Sequence, residues 1–92
     1  PNQLIILGDM LELGDKEIKY HQEIVNLLEK SKIKTCFLIG SIFSKTICNE
    51  NYLKISSTRE CVKILIEKNI KNTTILIKGS RKMQLEKIIE FL

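Results

Sequence analysis

Residues 4–14 read Leu4-Ile5-Ile6-Leu7-Gly8-Asp9-Met10-Leu11-Glu12-Leu13-Gly14. The segment opens with a continuous apolar run rich in β-branched residues, which is typical of a strand buried on both faces of a sheet. The run stops at Gly8, and a helical pattern begins at Gly14-Asp15 and extends to about Ser31. Asp15 is expected to cap the free N–H groups at the start of that helix. The segment therefore predicts a strand, a loop that carries two carboxylates, and a helix.

The rest of the chain repeats this alternation of strands and helices. Further strands are predicted at 35–39, 53–55 and 73–78, and further helices at 41–48, from Ser57 to about Asn69, and over a last segment that carries Leu85, Ile88, Ile89 and Leu92. Ser57 and Glu60 have the spacing of a capping box at a helix start. Strands separated by long crossovers predict an α/β fold, with an open, mostly parallel sheet and helices on both of its faces.

Composition limits the classes of protein to which the chain can belong. Its 92 residues are 43% hydrophobic and 28% charged with a net charge of +4, which fits one folded domain. The apolar runs are far shorter than the roughly 20 residues of a membrane span, and the first residues do not resemble a signal peptide. The lysines are scattered and lack stacking aromatics, which argues against nucleic-acid binding.

The three cysteines, Cys36, Cys48 and Cys61, have no metal-ligand spacing. We interpret them as structural thiols of a reducing, cytoplasmic compartment. His21 is the single histidine, and we interpret it as a packed, hydrogen-bonded residue of the first helix rather than as a catalytic base.

Asp9 and Glu12 are candidate site residues because ligands collect at the carboxyl ends of parallel strands. Their loop lacks the glycine spacing of a Walker loop and of a dinucleotide-binding loop, so it is not predicted to hold a nucleotide. A second interpretation stays open. The apolar residues of the loop would then cover the edge of the sheet, while the two acids face water or cap backbone groups.

The turn Lys78-Gly79-Ser80-Arg81 follows the last predicted strand. Gly79 permits a positive φ and close backbone approach, and Ser80 is a natural N-cap. Free N–H groups, a hydroxyl and two cations meet there, which suits a carboxylate or phosphate, and Arg81 could bind a carboxylate through two parallel hydrogen bonds. Ordinary capping with surface charge explains the same residues equally well.

The sequence contains no complete nucleophile–base pair, metal-ligand cluster or nucleotide motif. No catalytic residue and no metal ligand is therefore predicted, and the residues describe a binding part rather than a whole catalyst.

Two segments of the chain together resemble the C-terminal domain of the Mur ligases. The first is Leu7-Gly8-Asp9-Met10-Leu11-Glu12-Leu13-Gly14, followed by Tyr20-His21, and the second is Lys78-Gly79-Ser80-Arg81-Lys82-Met83-Gln84-Leu85-Glu86-Lys87-Ile88. The first segment favours the dipeptide-adding member of the family. The resemblance covers almost the full chain, although residues 30–70 match only in pattern. It implies a Rossmann-like domain that closes over the active site of a three-domain enzyme.

The resemblance also implies an activity. Such a ligase uses ATP and magnesium, held mainly by its central domain, to join D-alanyl-D-alanine to UDP-N-acetylmuramoyl-tripeptide in peptidoglycan precursor synthesis. By resemblance, Ser80 and Arg81 would hold the dipeptide carboxylate, supported by Lys78 and Gly79, while Asp9 and Glu12 would line the same cleft. Residues 1–92 would be a single domain in contact with the central domain. They lack the family's first strand and helix and its Asp-x-Tyr-Asn-Ala-Asn-Pro motif, so the segment alone is not expected to be active.

Two other functions fit an α/β domain of this kind. A receiver-like regulatory or interaction module also places acids after its first strand and a lysine after its last, as Asp9 and Lys78 are placed here. Its acceptor aspartate after a central strand is missing, because residues 37–39 run into Gly40-Ser41. Dinucleotide binding lacks its glycine fingerprint, and fold analogy alone does not establish it.

Overall fold

The computed structural model describes residues 2–89. Its strands are β1 (Asn2–Gly8), β2 (Cys36–Ile39), β3 (Tyr52–Ile55) and β4 (Thr73–Lys78), and its α-helices are α1 (Glu17–Lys30), α2 (Thr58–Glu67) and α3 (Glu86–Ile89). Short 3₁₀ turns cover Gly14–Lys16, Phe43–Lys45 and Arg81–Met83. No helix within the described part of the chain is both long and apolar enough to cross a membrane.

The four strands form one sheet in the order β3-β2-β1-β4, and each neighbouring pair is parallel. The α/β fold with a parallel sheet is therefore confirmed. β1 lies between β2 and β4, with Gly8 opposite Ile39 and Leu7 opposite Lys78. Because the strands are parallel, the loops that follow β1, β2 and β4 leave the sheet at the same edge.

Helices cover both faces of the sheet, as predicted. On one face, Val25 of α1 packs with Cys36 and Leu38 of β2 and with Phe43 and Tyr52. On the other face, α2 and α3 supply the buried residues Cys61, Leu65 and Ile88, which pack on Leu4, Ile6, Phe37 and Ile39. The continuous apolar run of β1 thus serves two cores, because alternate side chains point to opposite faces.

Several helix boundaries differ from those predicted. Asp15 does not cap α1, because a 3₁₀ turn comes first and the N-cap residue is Lys16, which makes no side-chain cap. The predicted helix at 41–48 is only the short turn Phe43–Lys45. Its continuation is blocked where the Thr46 hydroxyl donates to the Phe43 carbonyl at 2.6 Å and the Thr46 backbone turns extended.

The two C-terminal helices begin and end for different local reasons. The Ser57 hydroxyl accepts the Glu60 N–H at 3.2 Å, which confirms that arm of the capping box. α2 ends at Glu67, before the left-handed Asn69. Ser80 was predicted as an N-cap, but its side chain makes no cap, and left-handed Gln84 separates the 3₁₀ turn from α3. The predicted core position Leu92 lies outside the described residues.

Candidate functional site

The loops after β1, β2 and β4 meet at one edge of the sheet, and hydrogen bonds join them. The Asp9 N–H donates to the Ile39 carbonyl at 3.0 Å, and the Ser80 N–H donates to the Asp9 carbonyl at 3.2 Å. Asp9 thereby links the end of its own strand to the ends of both neighbouring strands. This meeting of the three loops follows the prediction from the parallel sheet.

The Asp9 side chain is buried, with an exposed fraction of 4%. Its carboxylate accepts the Ile42 N–H at Oδ2 and the Phe43 N–H at Oδ1, both at 3.0 Å. Gly40 leaves room for it, because a Cβ there would lie 2.3 Å from the Asp9 carboxylate. Asp9 therefore caps backbone groups, as the second interpretation of its loop had it. A carboxylate occupied in this way does not support the receiver-like alternative.

His21 is the second polar side chain buried beneath the loops. The Met10 N–H donates to its Nε2 at 3.0 Å, so Nε2 must be an acceptor. Its Nδ1 lies 2.7 Å from the Glu17 carbonyl and therefore carries the proton, which defines a neutral ring. The ring also packs edge-on against Phe43, with centroids 4.5 Å apart. The interpretation of His21 as a packed, hydrogen-bonded residue is confirmed.

A cleft of about 490 Å³ opens beside these loops. Most of its wall is apolar, and the residues that line it are Leu7, Gly8, Met10, Leu11, Ile24, Phe43, Lys78, Gly79 and Ser80. Among the described residues, Lys78 is the single charged one in this wall. The cleft thus combines an apolar floor with one cation, which suits a small ligand that carries a negative group.

The turn after β4 forms the polar rim of this cleft. Gly79 is required for close approach, since a Cβ there would lie 2.5 Å from Leu85 Cδ1 and 3.0 Å from Gly8 Cα. A glycine would also permit a positive φ, as noted from the sequence, but the φ of Gly79 is not positive. The Ser80 Oγ is buried and has no hydrogen-bond partner among the described residues. Arg81 is exposed and begins the 3₁₀ turn next to the cleft.

The structure separates the six predicted site residues into three groups. Lys78, Gly79 and Ser80 line the cleft, whereas Arg81, the next residue of the same turn, does not line it. Asp9 lies buried beneath it, whereas Glu12 is exposed at a left-handed position with φ of 65° and does not line it. Sequence reasoning missed the cleft residues Ile24 and Phe43, whose apolar character alone indicated only core packing.

Residues 2–89, which the structure describes, contain neither a magnesium site nor a reactive thiol. Among the described residues, no group of three or more His, Cys, Asp or Glu side chains could hold a metal ion. Burial raises the pKa of Cys36 to about 12 and that of Cys61 to about 11, and it also raises the pKa of Cys48. Such thiols stay protonated near neutral pH, which agrees with their structural interpretation.

Curated proteins with similar sequences share one description. The chain is 37% identical over 92 residues to the UDP-N-acetylmuramoyl-tripeptide–D-alanyl-D-alanine ligase of Buchnera aphidicola from Acyrthosiphon pisum, and the match covers 96% of the chain. It is 30% identical over 95 residues to the Bacillus subtilis enzyme of the same name, again over 96% of the chain. The chain spans about 20% of the length of these relatives. No protein-family model matches the sequence.

Solved structures show the same fold. MurF from Acinetobacter baumannii superposes with a TM-score of 0.81 over 97% of this chain and 21% of its own length, at 18% identity. MurF ligase from Thermotoga maritima, solved in complex with ADP, superposes with a TM-score of 0.74 over 98% of this chain and 21% of its own length, at 20% identity. The sequence matches and the shared fold agree, and the chain is similar to about one fifth of the length of these ligases.

Proposed function

We propose that this chain is the C-terminal lid domain of an ATP-dependent ligase that joins D-alanyl-D-alanine to UDP-N-acetylmuramoyl-tripeptide. In this proposal the domain binds the incoming dipeptide and closes over the ATPase domain. The observation that carries the proposal is the position of the turn after β4. Lys78, Gly79 and Ser80 line an apolar cleft, and the exposed Arg81 follows Ser80 directly in the chain.

The chemistry of the dipeptide matches this arrangement. D-alanyl-D-alanine has a terminal carboxylate, two methyl groups and an amine that must remain free to react. In the proposed complex, Arg81 binds the carboxylate through two parallel hydrogen bonds, and Lys78 adds to the positive field. The unpartnered Ser80 hydroxyl donates to the same carboxylate, and the apolar cleft receives the methyl groups.

The two acids have different places in the proposal. Asp9 supports the cleft from beneath, where its carboxylate holds backbone N–H groups. Glu12 is exposed on the same loop, where domain closure would bring it to face the ATPase domain.

The proposed reaction explains why a binding domain should close. ATP phosphorylates the terminal carboxylate of UDP-N-acetylmuramoyl-tripeptide and releases ADP. The dipeptide amine then attacks the acyl phosphate, an amide bond forms, and phosphate leaves. Water would hydrolyse the acyl phosphate, so closure protects it and brings the amine into position.

Other parts of the proposed enzyme supply the remaining chemistry. ATP and magnesium are held by the central domain, with which this chain makes an intramolecular contact. The reaction takes place in the cytoplasm.

Kinetics of the intact ligase test the proposal. We expect Arg81→Ala to raise the KM for D-alanyl-D-alanine by roughly 10- to 100-fold, because a charge-assisted pair is lost, and to leave the KM for ATP nearly unchanged. Arg59→Ala is the matched control, since Arg59 is the other arginine of the chain and is also exposed. An unchanged dipeptide KM in Arg81→Ala would remove Arg81 from the binding site.

A further inference from the structure

We infer that Asp9 is a positioning residue, an inference that rests on the proposed function. It fixes the position of the turn after β4, which binds the dipeptide, without touching the dipeptide itself. The Asp9 side chain and backbone bond to different loops. Its carboxylate holds the loop after β2 through the Ile42 and Phe43 N–H groups, and its carbonyl holds the turn after β4 through the Ser80 N–H. A single residue therefore links both loops that flank its own.

The burial of the carboxylate favours this role. Asp9 does not line the cleft, and both of its oxygens already accept backbone N–H groups at 3.0 Å. A buried carboxylate needs such partners to offset its lost hydration. The carboxylate fits this position only because residue 40 is a glycine, since a Cβ there would lie 2.3 Å from it.

The packing around the loops makes the link rigid. Phe43, whose N–H binds Asp9, lines the cleft and packs against the His21 ring. His21 in turn holds the Met10 N–H, one residue after Asp9. A displacement of the Asp9 carboxylate would therefore move Phe43 at one wall of the cleft and Ser80 at its rim. Small displacements of a binding group have large effects on a bound reactant.

Asp9→Asn in the intact ligase tests the inference. The amide retains one acceptor oxygen but turns an NH₂ group toward the second backbone N–H, so one of the two hydrogen bonds is lost. We expect the KM for D-alanyl-D-alanine to rise about tenfold while the KM for ATP stays within about twofold of wild type. Asp15→Asn is the matched control, because Asp15 is an exposed carboxylate after the same strand. We expect it to change neither constant.

Comparison of the KM for D-alanyl-D-alanine with the KM for ATP distinguishes a positioning role of Asp9 from a simple loss of folded enzyme. A loss of folded enzyme lowers the apparent kcat and leaves both KM values unchanged, and that result would overturn the inference. If Arg81→Ala raises the dipeptide KM and Asp9→Asn does not, the inference fails and the proposed function stands. If neither variant raises it, the proposed function fails as well.

Hydrogen exchange of the wild-type ligase provides a test that does not depend on a folded variant. We expect D-alanyl-D-alanine to slow exchange at the Ile42, Phe43 and Ser80 amides together, because Asp9 joins their two loops. Protection of Ser80 without any change at Ile42 and Phe43 would contradict the link through Asp9.

Discussion

The Ser80 N–H donates a hydrogen bond to the Asp9 carbonyl oxygen at 3.2 Å, beyond the last paired residues of β1 and β4. This bond joins the turn after β4 to the loop that follows β1. A backbone hydrogen bond to a neighbouring loop therefore helps to fix the position of the turn. Gly79 also lies close to Gly8 at this point, and a Cβ at position 79 would lie 3.0 Å from Gly8 Cα. The contact between the two segments therefore requires a glycine at position 79.

Gly79→Ala should displace the turn. The added Cβ would lie 2.5 Å from Leu85 Cδ1 and 3.0 Å from Gly8 Cα, and the backbone atom cannot move without shifting β1. We expect the free energy of unfolding of the chain to fall by about 1–3 kcal/mol, measured by urea titration. The intact ligase should also show a raised dipeptide KM.

Gly14→Ala is the comparison variant for that prediction. No atom lies within 4 Å of a Cβ at Gly14, although its φ of +72° strains an alanine. We expect a loss of about 1 kcal/mol from backbone strain and no change in the dipeptide KM. Equal effects of the two variants on KM would show that the Gly79 contact has no special part in holding the turn.

His21→Ala should weaken the loop after β1. The substitution removes the acceptor of the Met10 N–H and leaves a cavity beside Phe43, where the ring is now fully buried. We expect the free energy of unfolding to fall by about 2–4 kcal/mol in a urea titration. Tyr20→Ala is the control, since Tyr20 is 40% exposed. A loss for His21→Ala no larger than for Tyr20→Ala would contradict the described hydrogen bonds.

The buried thiols predict how stability changes with pH. Burial raises the pKa of Cys36 to about 12 and that of Cys61 to about 11, from an ordinary value of 9.0. Above pH 9 the unfolded chain releases these protons more readily than the folded chain does, so the folded state loses stability as the pH rises. Below pH 9 the contribution is fully present.

Urea titrations across this alkaline range measure the effect. We expect the free energy of unfolding of the wild-type chain to fall more steeply above pH 9 than that of Cys36→Ala or Cys61→Ala. The lysines titrate in the same range, and comparison of the slopes cancels their contribution. Identical slopes in all three proteins would mean that the thiols are not buried as described.

Strands were predicted from this sequence more successfully than helix ends. The limits of β4 agree with the prediction because its β-branched run is bounded by Gly79, and such local signals act within a few residues. The helix predicted at 41–48 ends after one turn because the Thr46 hydroxyl bonds the Phe43 carbonyl and the Thr46 backbone turns extended. Asp9, more than 30 residues earlier, holds the Ile42 and Phe43 N–H groups at the start of that segment.

The candidate site was predicted only in part, because some of its contacts join residues that are far apart in the sequence. The turn after β4 could be found because its charges and glycine are adjacent in the sequence, and the parallel sheet gave its place. The roles of Asp9 and Phe43 depend on the strand order, which places the loop after β2 beside the loop after β1. Nothing local to Asp9 distinguishes a carboxylate that binds a ligand from one that binds backbone N–H groups.

The most direct test of the proposed function is a crystal structure of the intact ligase in its closed form with ADP and D-alanyl-D-alanine. We expect the Arg81 guanidinium to donate two hydrogen bonds of about 2.7–3.2 Å to the dipeptide carboxylate, with the Ser80 hydroxyl donating a third. A structure in which Arg81 points into bulk solvent, while residues outside this chain bind the carboxylate, would contradict the proposal.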